Sequence, residues 1–384
     1  MSRFDFEGEK VRYIFCCTMV PIEYEMEIAD ISNASNRFLH NLCTRLMNLQ
    51  EINIMSYLGI PVMPEVRKKL YDFSKQTGNF FLFYKSRMML GGVWKYGKAL
   101  QKQLRFCDGV IAYNVLYVWL RVPDYAKKLG KKSILILADY SPPDSYKSKV
   151  RKAYAHMQLK SIRKYECVIG LSENVKQYLR PTQRFMCMEG GINREVYDYF
   201  VKYKTPDKKH IKVMYAGILE KVTGIDLLIR AFETLCMENV QLIISGKGSL
   251  AEWLRAKTEQ NQAIIYLGCV PYEEYIYNLS EADILVNPRN MALLENAYNF
   301  PSKIMEYLAT GKPIVSTRFP GWQKYDRYIS FCGSTVKDIQ EAVFQAVENI
   351  EKWDAEKYRK NREFAKNFIW DKQVETIAKF MEEH

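Results

Sequence analysis

The sequence of 384 residues lacks any apolar run long enough to cross a bilayer, which argues against a membrane-spanning helix. Its opening stretch, Met1–Lys10, is polar and acidic and lacks the apolar core of a secretory signal. No C-x-x-C pair occurs among the nine cysteines, so neither a zinc site nor a dithiol redox centre is written into the chain. An odd number of cysteines without regular spacing reads instead as reduced thiols in a cytoplasmic protein. Internal repeats and low-complexity segments are also missing, which excludes solenoids and tail-like disorder.

What is present is ordinary for a globular enzyme: 48% hydrophobic and 26% charged residues. The length is too great for one core and suits two domains of just under 200 residues each. Charge is divided unevenly between them. Residues 1–200 carry 31 Lys and Arg against 19 Asp and Glu, whereas residues 201–384 carry 25 of each. The whole net charge of +12 therefore lies in the first half. Such an excess fits contact with something anionic, such as a membrane surface, a polyphosphate lipid or a nucleic acid. A lysine-rich surface serving solubility explains it equally well.

Apolar strand-like runs alternate with amphipathic helical stretches along the chain, as in α/β architecture with parallel sheets. The strands expected in the first half are Val11–Val20, Ile52–Ile60, Asn79–Ser86, Asp108–Asn114, Ser133–Tyr140, Cys167–Glu173 and Arg184–Ile192. Helices are expected over Ser32–Asn48, over Val93–Phe106 and up to about Tyr165. Polar Val201–His210 reads as a linker, after which the alternation restarts with IKVMYAG, VQLIISGKG, AIIYLGCV, ADILVNPR, PIVST and YISFCG. The division expected is 1–200 and 205–366, with an amphipathic helix at about 367–384 packing back on the first domain. Two doubly wound sheets in tandem hold a ligand at the C-terminal ends of their strands.

One stretch organises the rest: NFPSKIMEYLATGKPIV, Asn299–Val315. Pro301 and Ser302 suit a helix start, Ile304, Met305, Leu308 and Ala309 give it a face to bury, and Gly311 stops it before a short strand. Lys303 and Glu306, three apart, share a face near the helix N-terminus, where unpaired N–H groups and the dipole favour phosphate. A carboxylate one turn further in suits a pair of hydroxyls such as those of ribose.

Four motifs in order then carry a resemblance: MYAGILEKVTGIDLLIRAF, LIISGKGSLAEWL, IIYLGCVPYEEYIYNLSEADILVNP and FPSKIMEYLATGKPIVST. Together they resemble the C-terminal domain of GT-B glycosyltransferases, in particular the family 4, or "group 1", set. VIGLSENVKQYL and GGINREVYDYF in the first half match more faintly. The P-S-K-x-x-E-Y form is similar to a capsule and exopolysaccharide subgroup. The resemblance implies two Rossmann-like domains with parallel sheets facing a central cleft. It assigns ribose binding to Glu306 and diphosphate binding to Ser302 and Lys303, with Gly217 as the turn where backbone approaches the ligand. Lys247 in Gly246-Lys247-Gly248 becomes a phosphate or sugar contact. Three positions depart from the family pattern. Ile218 and Thr223 replace the Arg and Lys that hold the diphosphate, and Lys221 between them is the candidate substitute. Tyr298 replaces the first of the family's two glutamates.

Asp139, at the end of SILILADY, stands where the family faces the transferred sugar, with Ala138 in the place of a histidine. It is a candidate for orienting the acceptor hydroxyl or stabilising an oxocarbenium ion, and equally a strand-end Asp capping a turn. Asn33, Asn36 and Arg37, after the first strand, fall where the family contacts its acceptor; an N-cap and a solvated turn account for them as well. The basic aromatic run Phe80–Phe106, with Trp94, Tyr96, Met88 and Met89 among Lys85, Arg87, Lys95, Lys98, Lys102 and Arg105, suits an anionic membrane interface and, less well here, single-stranded nucleic acid. At least half of it must be buried as an ordinary strand and helix.

The function expected is transfer of a sugar from a nucleotide diphosphate sugar, a UDP-sugar by preference, to a saccharide acceptor. By the resemblance that acceptor is lipid-linked, at the inner face of a bacterial cell membrane, in surface polysaccharide synthesis with retention. Fixed cations take the place of a divalent metal, no DxD-type aspartate cluster occurs near a strand end, and no cofactor beyond the donor and no nucleic-acid partner are expected. The alternatives are a nucleotide-sugar epimerase of the same fold and a non-catalytic partner of another transferase.

Overall fold

In the computed structural model the residues described are 10–28, 31–60, 62–85, 89–203, 210–235 and 237–383. Most of the expected linker, the opening residues 1–9, Arg87 and Met88 lie outside them, as do the side chains of 89–91. The chain divides into two compact units, one comprising 1–171, 175–188 and 374–384, the other 172–174 and 189–373.

The first unit is built on a seven-stranded sheet in the order β3-β2-β1-β4-β5-β6-β7, every pairing parallel. Its strands are β1 (Arg12–Cys17), β2 (Glu51–Leu58), β3 (Phe80–Tyr84), β4 (Gly109–Tyr113), β5 (Lys132–Leu137), β6 (Cys167–Gly170) and β7 (Arg184–Cys187). Between them run α1 (Asn33–Leu49), α2 (Pro64–Thr77), α3 (Met89–Leu104), α4 (Val122–Lys128) and α5 (Lys149–Ile162). The central strands read as unbroken apolar runs because helices cover both faces, and all five residues of β4 are buried. Strand order reverses between β1 and β4, which leaves a crevice above their C-terminal ends.

The second unit repeats the plan with six parallel strands in the order β10-β9-β8-β11-β12-β13. These are β8 (Ile211–Ala216), β9 (Val240–Ser245), β10 (Ile264–Tyr266), β11 (Ile284–Asn287), β12 (Ile314–Thr317) and β13 (Ser330–Cys332). The helices are α6 (Arg194–Lys202), α7 (Ile225–Glu233), α8 (Ala251–Gln260), α9 (Tyr272–Glu281), α10 (Lys303–Thr310), α11 (Val336–Glu348) and α12 (Ala355–Ala365). The crevice here lies between β8 and β11.

Helix α6, expected in the first domain, belongs to the second unit, where Tyr199 and Tyr203 reach Ser280 and Glu281 on α9. A last helix, α13 (Trp370–Glu382), has its residues from 374 onward in the first unit, where Lys132 Nζ donates to the carbonyls of Met381 and Glu382. Among the described residues no helix is long and apolar enough to cross a membrane.

The organising stretch folds as its sequence indicates, with one shift: helix α10 starts at Lys303, and Pro301 precedes it. Gly311 ends it in the left-handed region at φ +81°. Lys312, 3% exposed, turns its ammonium onto the carbonyls of Leu279, Ser280 and Ala282 and so caps the C-terminus of α9.

Candidate functional site

In the second unit the loops after β8, β9 and β11 are packed backbone on backbone. Gly246 follows β9 at φ +147°, and a Cβ there would stand 1.7 Å from the Gly217 carbonyl oxygen. Gly224, opening α7 at φ +72°, would place a Cβ 1.8 Å from the carbonyl oxygen of Pro288. Only glycine satisfies both the dihedral and the space at these two points. Cross-loop bonds lock the arrangement: Gly217 N donates to Ser245 O and Leu219 N to Lys247 O, both at 2.9 Å. The carboxylate of Glu220 accepts from the Ser249 N–H at 2.7 Å and from its hydroxyl at 2.5 Å.

Lys303 comes into this frame from the first turn of α10. Its ammonium lies 2.5 Å from the point where a Gly217 Cβ would be and 4.2 Å from the centre of the Tyr215 ring. Burial first, and then the nearby Arg289 guanidinium, push its pKa down to about 7 against the opposing pull of Glu306. Two cations, Lys303 and Arg289, are therefore close enough here to influence each other, with Glu306 beside Lys303, and both suit a charge-assisted bond to a phosphate. Arg289, just beyond β11, donates to Asn296 Oδ1 at 2.9 Å and to the Asn299 carbonyl at 3.1 Å, which fixes its reach.

One turn into α10, Glu306 accepts hydrogen bonds from Tyr272 at 2.9 Å and Tyr275 at 2.6 Å, one to each carboxylate oxygen. Both hydroxyls come from the first turn of α9. The two phenols fix the orientation of the carboxylate, a group that can only accept when ionised. Ser302 is exposed at the helix start without a side-chain capping bond, beside Gly190.

The departures from the family pattern have a structural reading. Ile218 is 53% exposed. The Thr223 hydroxyl bonds the carbonyls of Ile218 and Glu220 and so braces the turn. Tyr298 is buried. Lys221 and Lys247 are exposed on their two loops. The sequence reading missed Arg289, Tyr272 and Tyr275. The signal for Arg289 was its place at the end of ADILVNPR, and for the tyrosines their spacing of three at the start of a helix.

In the first unit a cavity of about 230 Å³ opens at the strand-order reversal. It is lined by the ends of β1, β2 and β4 and the start of α1, and no charged side chain is among its described residues. Ser32 caps α1, accepting from the Ser35 N–H at 3.3 Å.

Two residues expected to meet an acceptor, Asn36, which lines this cavity, and Arg37, also bond the buried Glu25. Asn36 Oδ1 accepts from Val20 N at 2.9 Å, and its amide donates to Glu25 at 3.1 Å. Arg37 binds the other oxygen of Glu25 at 2.6 Å. Glu25 is 2% exposed, and this pairing is what permits its burial. Asn33 makes a long contact of 3.5 Å to the Met26 sulfur.

Asp139 is exposed just past β5. Asn114, at φ +57°, accepts from the N–H groups of Ala138 and Asp139 at 2.8 and 3.0 Å and donates to the Asp139 carboxylate at 3.4 Å. On α3, Trp94 is 60% exposed with Lys98 Nζ 3.7 Å above its ring, and Lys95, Lys102 and Arg105 share the solvent side. Tyr96, Leu100 and Leu104 form the buried side.

Comparison with known proteins follows the same outline. Residues 210–350 match the family described as "Glycosyl transferases group 1". An uncharacterized glycosyltransferase of Methanocaldococcus jannaschii is 25% identical over 190 residues, 47% of each chain. The chitobiosyldiphosphodolichol beta-mannosyltransferase of Debaryomyces hansenii is 22% identical over 323 residues, 73% of this chain and 66% of that one. The chain thus spans 47% and 66% of the length of these two relatives. Among solved structures, Anabaena HepE in complex with UDP superposes with a TM-score of 0.72 at 12% identity, over 96% of this chain and 99% of that one. The fold is GT-B.

Proposed function

We propose that this chain, a GT-B protein whose second half is a glycosyl transferases group 1 domain, moves a sugar from a nucleotide diphosphate sugar to a saccharide acceptor. The observation that carries this reading is the convergence of Lys303 and Arg289 on the Gly217 turn, at the N-terminus of α10 and one turn from Glu306. In this reading the diphosphate lies across the turn, with Ser302 and Lys303 donating to it, Lys221 and Lys247 flanking it, and the ribose hydroxyls on Glu306. UDP is the favoured carrier, since HepE, of like fold, binds it.

Breaking the bond from the anomeric carbon to the phosphate leaves negative charge on the departing diphosphate. Lys303, Arg289 and the α10 dipole neutralise that charge without a divalent metal. Under retention, the departing phosphate oxygen takes the acceptor's proton while the new carbon–oxygen bond forms on the same face. Asp139, held by Asn114, orients the acceptor hydroxyl or stabilises the oxocarbenium charge.

The acceptor is saccharide in nature, and a lipid-linked one fits two facts. The Debaryomyces relative bears the name of a dolichol-linked substrate. The solvent side of α3 combines Trp94 with Lys95, Lys98 and Lys102, Arg105 follows just past its end, and the first half holds the chain's basic excess. Work at the inner face of a bacterial membrane, on surface polysaccharide, follows from this reading.

A thermal-shift panel of UDP, GDP, ADP and CMP tests it, on the wild type and Glu306→Ala. Stabilisation by one diphosphate, lost in the variant, is the expected result. No shift with any of them overturns the donor site. A second reading, a non-catalytic partner, draws on exposed Ile218 where the family has its arginine. Binding of nucleotide without turnover of any sugar donor would favour it.

A further inference from the structure

The orientation of Glu306 is set from outside its own helix. The residue stands one turn into α10, three positions after Lys303, and opposite charges at that spacing share a helix face and attract. A carboxylate with no other partner would be drawn along α10 toward that ammonium. Here each of its oxygens is met by a phenol from the neighbouring helix α9, Tyr272 at 2.9 Å and Tyr275 at 2.6 Å. Burial, and then the charge of Glu306, push the Tyr275 phenol well above its usual range, so it keeps its proton and remains a donor.

Helix α9 has other fastenings. Its Ile276 and Leu279 are buried, and Lys312 holds the carbonyls at its last turn. The two tyrosine rings lie 5.8 Å apart, centre to centre, and phenylalanine would keep that packing. What the hydroxyls add is direction, since a donor on each oxygen restrains rotation of the carboxylate plane. Glu306 itself is half-buried rather than sealed from solvent, as a group that meets a ligand must be.

We infer that Tyr272 and Tyr275 are positioning residues that set the plane of the Glu306 carboxylate for a vicinal diol, and so make the second unit distinguish ribose from deoxyribose. The inference rests on the donor site proposed above and deepens it, with the tyrosines acting through Glu306. A cis diol presents two hydroxyls side by side, and a carboxylate accepts from both only when its plane faces them. Turned toward Lys303, it meets one at most. The pair of phenols is thus a specificity device for the nucleoside, built from a helix that carries no other part of the donor site.

Calorimetry on the full chain tests this with UDP and GDP, each beside its 2′-deoxy counterpart. The proteins are the wild type, Glu306→Ala, Tyr272→Phe, Tyr275→Phe and the double phenylalanine variant. Tyr277→Phe, an exposed position on the same helix, is the control. The wild type should prefer the ribonucleotide that it binds by about tenfold over the deoxy form, the worth of one charge-assisted hydrogen bond. That ratio should shrink in each single variant, vanish in the double variant as in Glu306→Ala, and stand unchanged in Tyr277→Phe. Three results overturn the inference. One is a ratio that survives in the double variant although Glu306→Ala abolishes it. Another is equal weakening of both nucleotides, the mark of tyrosines that only brace α9. The third is a wild type that binds ribo and deoxy forms alike. Failure of the wild type to bind either diphosphate would instead strike the donor reading itself, so the two failures are distinguishable.

Discussion

The two crevices occupy the same topological position in their sheets and have opposite chemistry. That of the second unit gathers Lys303, Arg289 and Glu306. That of the first has hydroxyls and aromatic walls and, among the described residues, no charge. Regional net charge runs the other way, with +12 in residues 1–200 and zero in 201–384. Charge on a site is thus a matter of which few side chains the strand ends hold. The positive excess of the first half sits on outer helices such as α3, away from its cavity. A count over half a chain reports on the outer surface; the chemistry of a pocket has to be read at its lining.

The contrast can be broken at several points. The largest effect is expected from Gly224→Val, which drives a side chain into the Pro288 carbonyl at a left-handed dihedral. A loss of about 3 kcal/mol, or roughly 10 °C in Tm, should appear by calorimetry. A variant that melts with the wild type would show that the loop packing is slack.

Lys303→Met comes next. Removing a charge-assisted bond to a diphosphate should weaken UDP-sugar binding by about 2 kcal/mol, roughly thirtyfold, as calorimetry would show. Arg37→Met is the converse. Leaving Glu25 with Asn36 alone should lower stability by about 2 kcal/mol, yet UDP affinity should hold. A melting temperature equal to the wild type's would show that the Arg37–Glu25 pair adds nothing to stability.

Acidity separates the crevices more gently. Free Lys303 titrates at about 7, and a bound diphosphate raises that value. Donor binding then takes up a proton, and the affinity present below pH 7 is lost as pH rises through the bound-state pKa. Calorimetry with a UDP-sugar should show on the order of a tenfold decline between about pH 6 and pH 9. Smallest of all, Ser32→Ala removes the α1 cap and should cost about 1 kcal/mol, seen as a small drop in Tm.

Both sheets were legible in the sequence because each strand is a short apolar run between helical periods, and all thirteen expected strands form. Gly217, Lys303 and Glu306 were legible for a second reason: they lie within local motifs whose spacing sets their geometry. Partners brought from afar were not. Nothing local to Asn36 and Arg37 announces that Glu25, eleven and twelve residues earlier, will be buried and claim them. Tyr272 and Tyr275 likewise meet Glu306 across more than thirty residues, through the packing of α9 beside α10. Helix α6 looked like the end of one domain by position and joined the other by contact.

The lysine after Gly311 has a consequence for engineering. Helix α9 is gripped at its first turn by Glu306 and at its last by Lys312, two residues from one short segment. Residues 272–312 are therefore a cassette whose parts were fitted to one another. A chimera that takes α9 from one protein and α10 from another would misalign either the tyrosine clamp or the lysine plug. Crossovers placed before Pro271 and after Pro313 would carry both fastenings intact, and with them whatever donor preference the clamp confers.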